Sequence, residues 1–285
     1  MTKGAVVGLG AMGSRIAGRL IAAGNEVVVW NRDHTKTEPL TQAGATAAET
    51  PAAAAGRVDV VITMVSNPAA LRAVTEGEDG VVAGAEDGTV IVQMSTVGPA
   101  PVHQLASALP PEIGLLDAPV LGSTAEAEAG SLHIFVGGND ELVERCSPLL
   151  STLGQVHHVG PVGAGSAAKL VANSTLVGII GVLGEALALA RTLGLTDEIA
   201  FDVLATTALG AQAERRRDSV ESGEFPARFA LSLAKKDADL ILEAAPNADL
   251  RLMRAAQTWL ADAERDGRGD QDYSAVLAEI LGRSR

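Results

Sequence analysis

Apolar residues fall into two alternating rhythms along the first half of the chain. Residues 5–7 are Ala-Val-Val and run into a glycine-rich turn, after which Ile16, Ala17, Leu20 and Ile21 recur at the spacing of one helix face. A second apolar run, 26–30, follows. Further runs at 58–65, 89–94, 115–120 and 132–136 read as strands, and the stretches 69–74, 101–109 and about 141–150 read as helices. Strand and helix in alternation build an α/β domain, a Rossmann-type doubly wound parallel sheet with helices on both faces. Strands covered on both sides are apolar throughout rather than at every second position, as these are.

The rhythm changes near residue 160. From 163 to about 193 the chain reads as one long helix without proline, bridging a first domain, 1–160, and a second, 161–285. Gly178, Gly181 and Gly184 recur inside it and each costs about 1 kcal/mol relative to Ala in an isolated helix. Close packing against another helix is the expected compensation. Beyond Gly194 there are helices and short turns but no strand pattern, so the second domain is expected to be all-α. The stretch 170–190 is apolar enough to resemble a membrane span, yet Asn173 and Glu185 lie inside it, and it reads as a buried helix.

The first glycine turn, Gly8-Leu9-Gly10-Ala11-Met12-Gly13, stands between a strand and a helix with a second strand at the right distance, the setting in which G-x-G-x-x-G binds a dinucleotide. Gly8 suits the tight turn, Gly10 leaves room for a pyrophosphate, and Gly13 lets helix and strand approach. The free N–H groups at the helix start face the phosphates. About 20 residues past such glycines, an NAD-preferring site carries Asp or Glu for the ribose 2′-hydroxyl. This chain has Asn31 and Arg32 there, then Asp33, Thr35 and Lys36. A guanidinium holds a 2′-phosphate bidentately where a carboxylate repels it, which points to NADP(H). Asp33 turning toward the ribose, or Arg32 and Lys36 as ordinary solvated residues, are the alternatives. Ligands of doubly wound sheets bind beyond the carboxyl ends of the strands. That rule brings Val65, Ser66 and Asn67, the loop of Thr96, and residues 119–123 toward one crevice.

At 285 residues two domains are the better expectation. The hydrophobic fraction is 47% with only 2% aromatics, so Ala, Val and Leu fill the core. A formal net charge of -13 without a long basic run argues against nucleic acid or an anionic membrane as partner. The only basic cluster, Arg215-Arg216-Arg217, is flanked by Glu214 and Asp218 and reads as a solvated helix face or subunit contact. Cys146 is the single cysteine, which suits a core position and a reducing cytoplasm. The start of the chain does not read as a signal peptide, because the fingerprint interrupts the first apolar run. The five histidines lack metal-ligand spacing and no metal is expected. No G-x-S-x-G elbow is present.

Four stretches in fixed order, GLGAMG at 8–13, DAPVLGSTAEAEAGSL at 117–132, GAGSAAKLVANS at 163–174 and LAKKDADL at 233–240, together with the closing GDQDYSAV at 269–276, closely resemble the β-hydroxyacid dehydrogenase family. The likeness covers nearly the whole chain. It implies a Rossmann domain followed by a helical domain, assembled as homodimers or homotetramers through the helical parts, with the active site between domains. Lys169 matches the family's catalytic lysine, and Asn173, one helical turn on, the asparagine that holds substrate or the ammonium. Residues four apart share a helix face. By the same resemblance Thr96 and Lys236 contact the cofactor, whereas Lys236 in a solvated pair with Asp237 or Asp239 is the plainer reading. In the substrate loop Leu121 stands where serine is common, leaving Gly122 and Ser123 to offer backbone N–H groups and one hydroxyl. Loss of a charge-assisted hydrogen bond there costs roughly 1.5–3 kcal/mol if nothing replaces it. The function so implied is NADPH-dependent hydride transfer with a small aldehyde, keto acid or 3-hydroxyacid-type substrate. An imine reductase is the second enzymatic possibility; those relatives generally lack this lysine. A non-catalytic NADP(H)-binding module is the third reading, and the presence of Lys169 with Asn173 disfavours it.

Overall fold

A computed structural model describes residues 2–282. The backbone divides into two compact units between Lys169 and Leu170. The division falls inside the long helix rather than before it.

In chain order the first unit contains β1 (Lys3–Val7), α1 (Ala11–Ala22), β2 (Glu26–Trp30), α2 (Glu38–Gln42), β3 (Thr46–Ala47), α3 (Pro51–Ala55), β4 (Val60–Thr63), α4 (Pro68–Glu76), α5 (Val81–Gly84), β5 (Val90–Gln93), α6 (Pro99–Ala108), β6 (Gly114–Asp117), β7 (Val120–Leu121), α7 (Thr124–Ala129), β8 (Leu132–Gly137), α8 (Asp140–Leu150), β9 (Gly154–Gly160) and the start of α9 (Ala164–Thr192). Strands β3-β2-β1-β4-β5-β6 pair in that order, all parallel. Successive side chains of a strand point to opposite faces, and each face has its own core. Val6, Ile62, Val92 and Leu116 pack with Ile16 and Leu20 of α1 and with Val143, Cys146 and Leu149 of α8. Ala5, Val7, Val61, Ile91 and Leu115 pack with Ala54, Leu71 and Leu105 from α3, α4 and α6.

The sheet differs from the sequence expectation at its β8 edge. The apolar run 115–120 is not one strand, because Pro119 has no N–H for the ladder; the chain leaves β6 there and re-pairs as β7. β8 is antiparallel to both β6 and β7, so the sheet is mixed at that edge. β9 is an additional strand, parallel to β8.

The second unit continues along α9 and adds α10 (Asp197–Ala205), α11 (Gly210–Ser222), α12 (Leu231–Ala244), α13 (Arg251–Ala263) and α14 (Val276–Gly282). Among the described residues its only β pairing is an isolated bridge between Ala230 and Asp272. The α9 glycines meet other helices here. A Cβ at Gly178 would lie 3.3 Å from Leu252 of α13, and one at Gly184 would lie 2.5 Å from Ile280 of α14. Removing those side chains lets the backbones approach, which offsets the helix-propensity cost. By length and composition alone α9 is long and apolar enough to cross a membrane, and half of its most apolar stretch is buried.

Within the basic triplet Arg215 is exposed, as a solvated face requires, but Arg216 is not. Arg216 is buried, donates to Asp272 Oδ1 at 3.1 Å and to the Tyr273 hydroxyl at 2.8 Å, and caps the Tyr273 ring. Asp272 also accepts from the backbone N–H groups of Arg228, Phe229 and Ser274. A buried charge is tolerated only when paired and hydrogen-bonded in this way.

Candidate active site

The carboxyl ends of β1, β4 and β5 carry the candidate cofactor residues. β1 and β4 are neighbours while β2 lies on the far side of β1, so strand order reverses there, the place where doubly wound sheets open a crevice. Gly8 has φ +101°, and a Cβ on it would stand 2.3 Å from the Met64 carbonyl oxygen. A Cβ on Gly13 would stand 1.9 Å from the Gly8 carbonyl oxygen. In front of Gly10, by contrast, a Cβ would meet nothing within 4 Å. Two glycines make the turn fit and the third leaves space before it. α1 begins directly behind, with Gly10 as an N-cap lacking any side-chain bond and no acidic residue in its first turn. An uncapped helix start presents N–H donors and the positive end of the helix dipole. The cradle fits a pyrophosphate, and Leu9, Ala11 and Met12 lie along it.

Asn31 closes the turn. Its Oδ1 accepts the Leu9 N–H at 2.9 Å and its amide donates to the Asp33 carbonyl at 3.0 Å. The Asp33 carboxylate accepts the Thr35 N–H at 3.2 Å and the Thr35 hydroxyl at 2.7 Å. Those two bonds hold its carboxyl below the ordinary carboxylate range. It caps the 3-10 turn His34–Thr37, so Asp33 and Thr35 satisfy each other, while Arg32, His34 and Lys36 stand exposed around the end of β2.

Ser95, in the loop that the sequence brings toward the crevice, and Gln93, which sequence reasoning passed over, brace the neighbouring loops. Ser95 accepts the Val65 N–H on its hydroxyl at 2.8 Å. Gln93 bonds Ser95 twice, accepting its N–H and donating to its carbonyl. Both are fully buried, and Thr96 follows directly. The available signal was a glutamine inside an otherwise apolar strand. Asn67 caps α4 by accepting the Ala70 N–H at 2.8 Å, and its amide donates to the Ser66 hydroxyl.

β6 ends at Asp117, whose fully buried carboxylate accepts the Ser166 N–H at 2.6 Å and the Ser166 hydroxyl at 2.7 Å. Burial pushes this carboxyl up from its ordinary range, against the pull of bonds from Ser166 and the Gly163 backbone. A Cβ at Gly165 would lie 2.1 Å from the Asp117 carbonyl oxygen, and one at Gly163 would lie 2.5 Å from His103 Nε2. The Gly-Ala-Gly-Ser start of α9 is therefore seated on the end of β6. Lys169, buried, follows Ser166 by three residues in the same unit.

Leu121, Gly122 and Ser123 follow Asp117 by a few residues. Leu121 is half-buried, and Gly122 has φ +135° with its Cβ position blocked by Leu132 and Glu126. The Ser123 donors that the sequence leaves for a ligand are already engaged. Its N–H and its hydroxyl both donate to Glu126 Oε2, at 2.7 and 2.8 Å, within a capping box that starts α7. The S-x-x-E spacing was the legible signal.

In the second unit Asn173 is buried and donates its amide to Asp237 Oδ2 at 2.6 Å. Asp237 Oδ1 receives the Lys236 ammonium at 2.9 Å. Lys236 is thus paired with Asp237, as the plainer reading had it, but the carboxylate is buried rather than solvated. Asp237 holds both, and its bond to Asn173 was not anticipated from the sequence. Lys235 takes Asp239 at 3.0 Å. Among the described residues no group of three or more His, Cys, Asp or Glu is placed to hold a metal ion. His157 stacks on His133, and His158 faces Asp140.

Comparison with known proteins follows the same division. A family model described as the NAD binding domain of 6-phosphogluconate dehydrogenase matches residues 3–163, and one described as NAD-binding of NADP-dependent 3-hydroxyisobutyrate dehydrogenase matches 163–280. A 2-(hydroxymethyl)glutarate dehydrogenase of Eubacterium barkeri is 35% identical over 280 residues, 95% of this chain and 92% of the relative. A 3-sulfolactaldehyde reductase of Escherichia coli is 32% identical, covering 97% of this chain and 95% of its own. Among solved structures, the 3-hydroxyisobutyrate dehydrogenase of Mycobacterium tuberculosis with L-serine superposes with a TM-score of 0.89 at 28% identity, covering 98% of this chain and 99% of that one.

Proposed function

This chain is a member of the β-hydroxyacid dehydrogenase family and an NAD(P)-dependent oxidoreductase, and from that premise we propose that it reduces a small carbonyl compound of the aldehyde or keto-acid type with NADPH, Lys169 serving as general acid. In the reverse direction the substrate is a 3-hydroxyacid-type alcohol and the same lysine is the base. The nicotinamide cofactor supplies the hydride to the carbonyl carbon. Lys169 gives the oxygen a proton from Nζ and regains it from solvent, so the products are the alcohol and the oxidised cofactor. Asn173, its amide held by Asp237, positions the substrate or the ammonium.

The observation that carries the assignment is the seating of Lys169: a buried lysine three residues beyond Ser166, whose N–H and hydroxyl are fixed by the buried Asp117. A proton donor gains most from being held at one distance and angle. For the cofactor, the support is Arg32 at the end of β2, with Asp33 occupied by Thr35. Gly8–Gly13 then hold the pyrophosphate, Arg32, Thr35 and Lys36 surround the 2′-phosphate, and Val65–Asn67, Thr96 and Lys236 line the remainder. The helical unit supplies the homodimer or homotetramer contact, and the cytoplasm is the compartment.

The test is Lys169→Ala. It lowers kcat by about 100- to 10,000-fold and leaves the dissociation constant for NADPH, read by nucleotide fluorescence, within about twofold. A variant that turns over normally rejects the lysine as the acid.

A further inference from the structure

We propose that His133 and His157 form a two-nitrogen surface site for a divalent transition ion of the Zn²⁺ or Ni²⁺ kind, which ties the edge strand β9 to β8. The two stand 24 residues apart in the chain, without ligand spacing, and the pairing of β8 with β9 brings them together. In that register Gln155 stands opposite His133 and His157 opposite Phe135. Residues two apart on a strand share a face, so these four line the outer face while Leu132, Ile134 and Val136 fill the core on the other. His133 Nδ1 lies 3.1 Å from His157 Nε2. The rings stack with centroids 5.3 Å apart, and the His157 ring also packs against Phe135, 5.9 Å away.

Imidazole nitrogens hold such ions at about 2.0–2.1 Å. Two nitrogens 3.1 Å apart therefore subtend about 95–100° at a shared ion, the angle between neighbouring ligands of a tetrahedral or octahedral shell. In the metal-free pair one ring donates the hydrogen bond and the other accepts it. Coordination requires each ring to carry its proton on the far nitrogen, Nε2 of His133 and Nδ1 of His157. The bridging proton passes to solvent and the far nitrogen of the same ring takes one up, so the proton count is unchanged. Water completes the shell, because among the described residues no third His, Cys, Asp or Glu joins the pair. Nitrogen ligands select transition ions over Mg²⁺ and Ca²⁺, which take oxygen. The net charge of -13 draws any dication toward the chain. Among the described residues β9 has β8 as its only strand partner, so the ion clips in place the strand that leads into α9.

Isothermal titration of the full, untagged chain with zinc chloride, at neutral pH in a buffer that does not chelate, tests the site. The wild type takes up one Zn²⁺ per chain with a micromolar dissociation constant, and magnesium chloride gives no such event. His133→Asn and His157→Asn each weaken Zn²⁺ uptake by about tenfold or more, since the remaining nitrogen has lost the partner that bound as an intramolecular ligand. His34→Asn, on another part of the unit, leaves the dissociation constant within about twofold. In the unmutated chain, the same addition of Zn²⁺ moves the imidazole nuclear magnetic resonances of His133 and His157 and leaves those of His34 and His103 in place, a readout that does not depend on how a variant folds. No micromolar uptake by the wild type, Mg²⁺ bound as tightly as Zn²⁺, a loss of less than about tenfold in both asparagine variants, or resonance changes at the other histidines instead, overturns the site.

Discussion

Arg32 is the residue on which cofactor choice is expected to turn. Its neighbours have other duties: Asn31 is bonded to Leu9 and to Asp33, and Asp33 to Thr35. The guanidinium is left as the planar cation at the end of β2, suited to a dianionic phosphate and of no special use to a hydroxyl pair. Arg32→Ala should therefore raise KM for NADPH about tenfold or more while changing KM for NADH by less than about threefold, as initial rates with the two nucleotides will tell; an equal rise in both would reject the role. At this scale the sequence was readable where a residue type has one use. Gly8 and Gly13 are required by contacts no side chain survives. The bond from Asn173 to Asp237 and the brace made by Gln93 were not readable, because a carboxylate beside lysines and a glutamine in a strand have many uses, and only burial with named partners separates them.

At the scale of elements, the seating of α9 on β6 depends on one carboxylate. Asp117→Ala strands the Ser166 N–H and hydroxyl in a dry site and should destabilise the chain by about 2–4 kcal/mol in urea melts. The charge on Asp117 also writes itself into the pH dependence. Burial raises its carboxyl pKa in the folded state above the ordinary value of 3.8, so the folded chain holds that proton more tightly than the unfolded one. Its contribution to stability is then fully present below 3.8, declines as pH rises toward the folded value, and is level beyond it. The stability difference between wild type and Asp117→Asn should fall through that window; a difference flat with pH would mean that the carboxyl is not raised.

The strands most easily anticipated were β1, β2, β4 and β5, whose apolar runs lie between the two cores, and β8, of which Leu132, Ile134 and Val136 are buried in one core. β9 escaped because Gln155, His157 and His158 break any apolar run, and its place is set by pairing with β8. Pro119 was visible in the sequence, but its effect, a strand split in two, depends on the antiparallel partner that β8 supplies.

For the whole molecule, the open question of size is addressed by one face of the helical unit. Val171, Val182, Leu189 and Leu193 of α9 and its end are exposed, as are Ile199 and Val203 of α10. Scattered apolar residues on a surface need no explanation, but residues 171, 182, 189 and 193 recur at spacings that put them on one side of α9 and its end, as 199 and 203 do on α10, and an apolar helix side is what a subunit contact uses. Leu189→Glu combined with Val203→Glu should shift the mass in light scattering to that of the monomer at micromolar concentration. A wild type already monomeric would remove the contact. The two-unit plan was legible from the change of rhythm near residue 160, whereas the location of the exposed face was not, since an all-apolar helix does not announce which side its own unit covers.

Cys146 has a use that follows from where it lies. It is the chain's only thiol, almost wholly shielded between α8 and the sheet, and burial pushes its pKa up, so that little thiolate forms. A maleimide or disulfide reagent meets one target, and only when the first unit comes apart. The molecule therefore carries its own clock: the rate of single-site labelling counts openings of the nucleotide-binding unit, with no probe to engineer and no second signal to subtract.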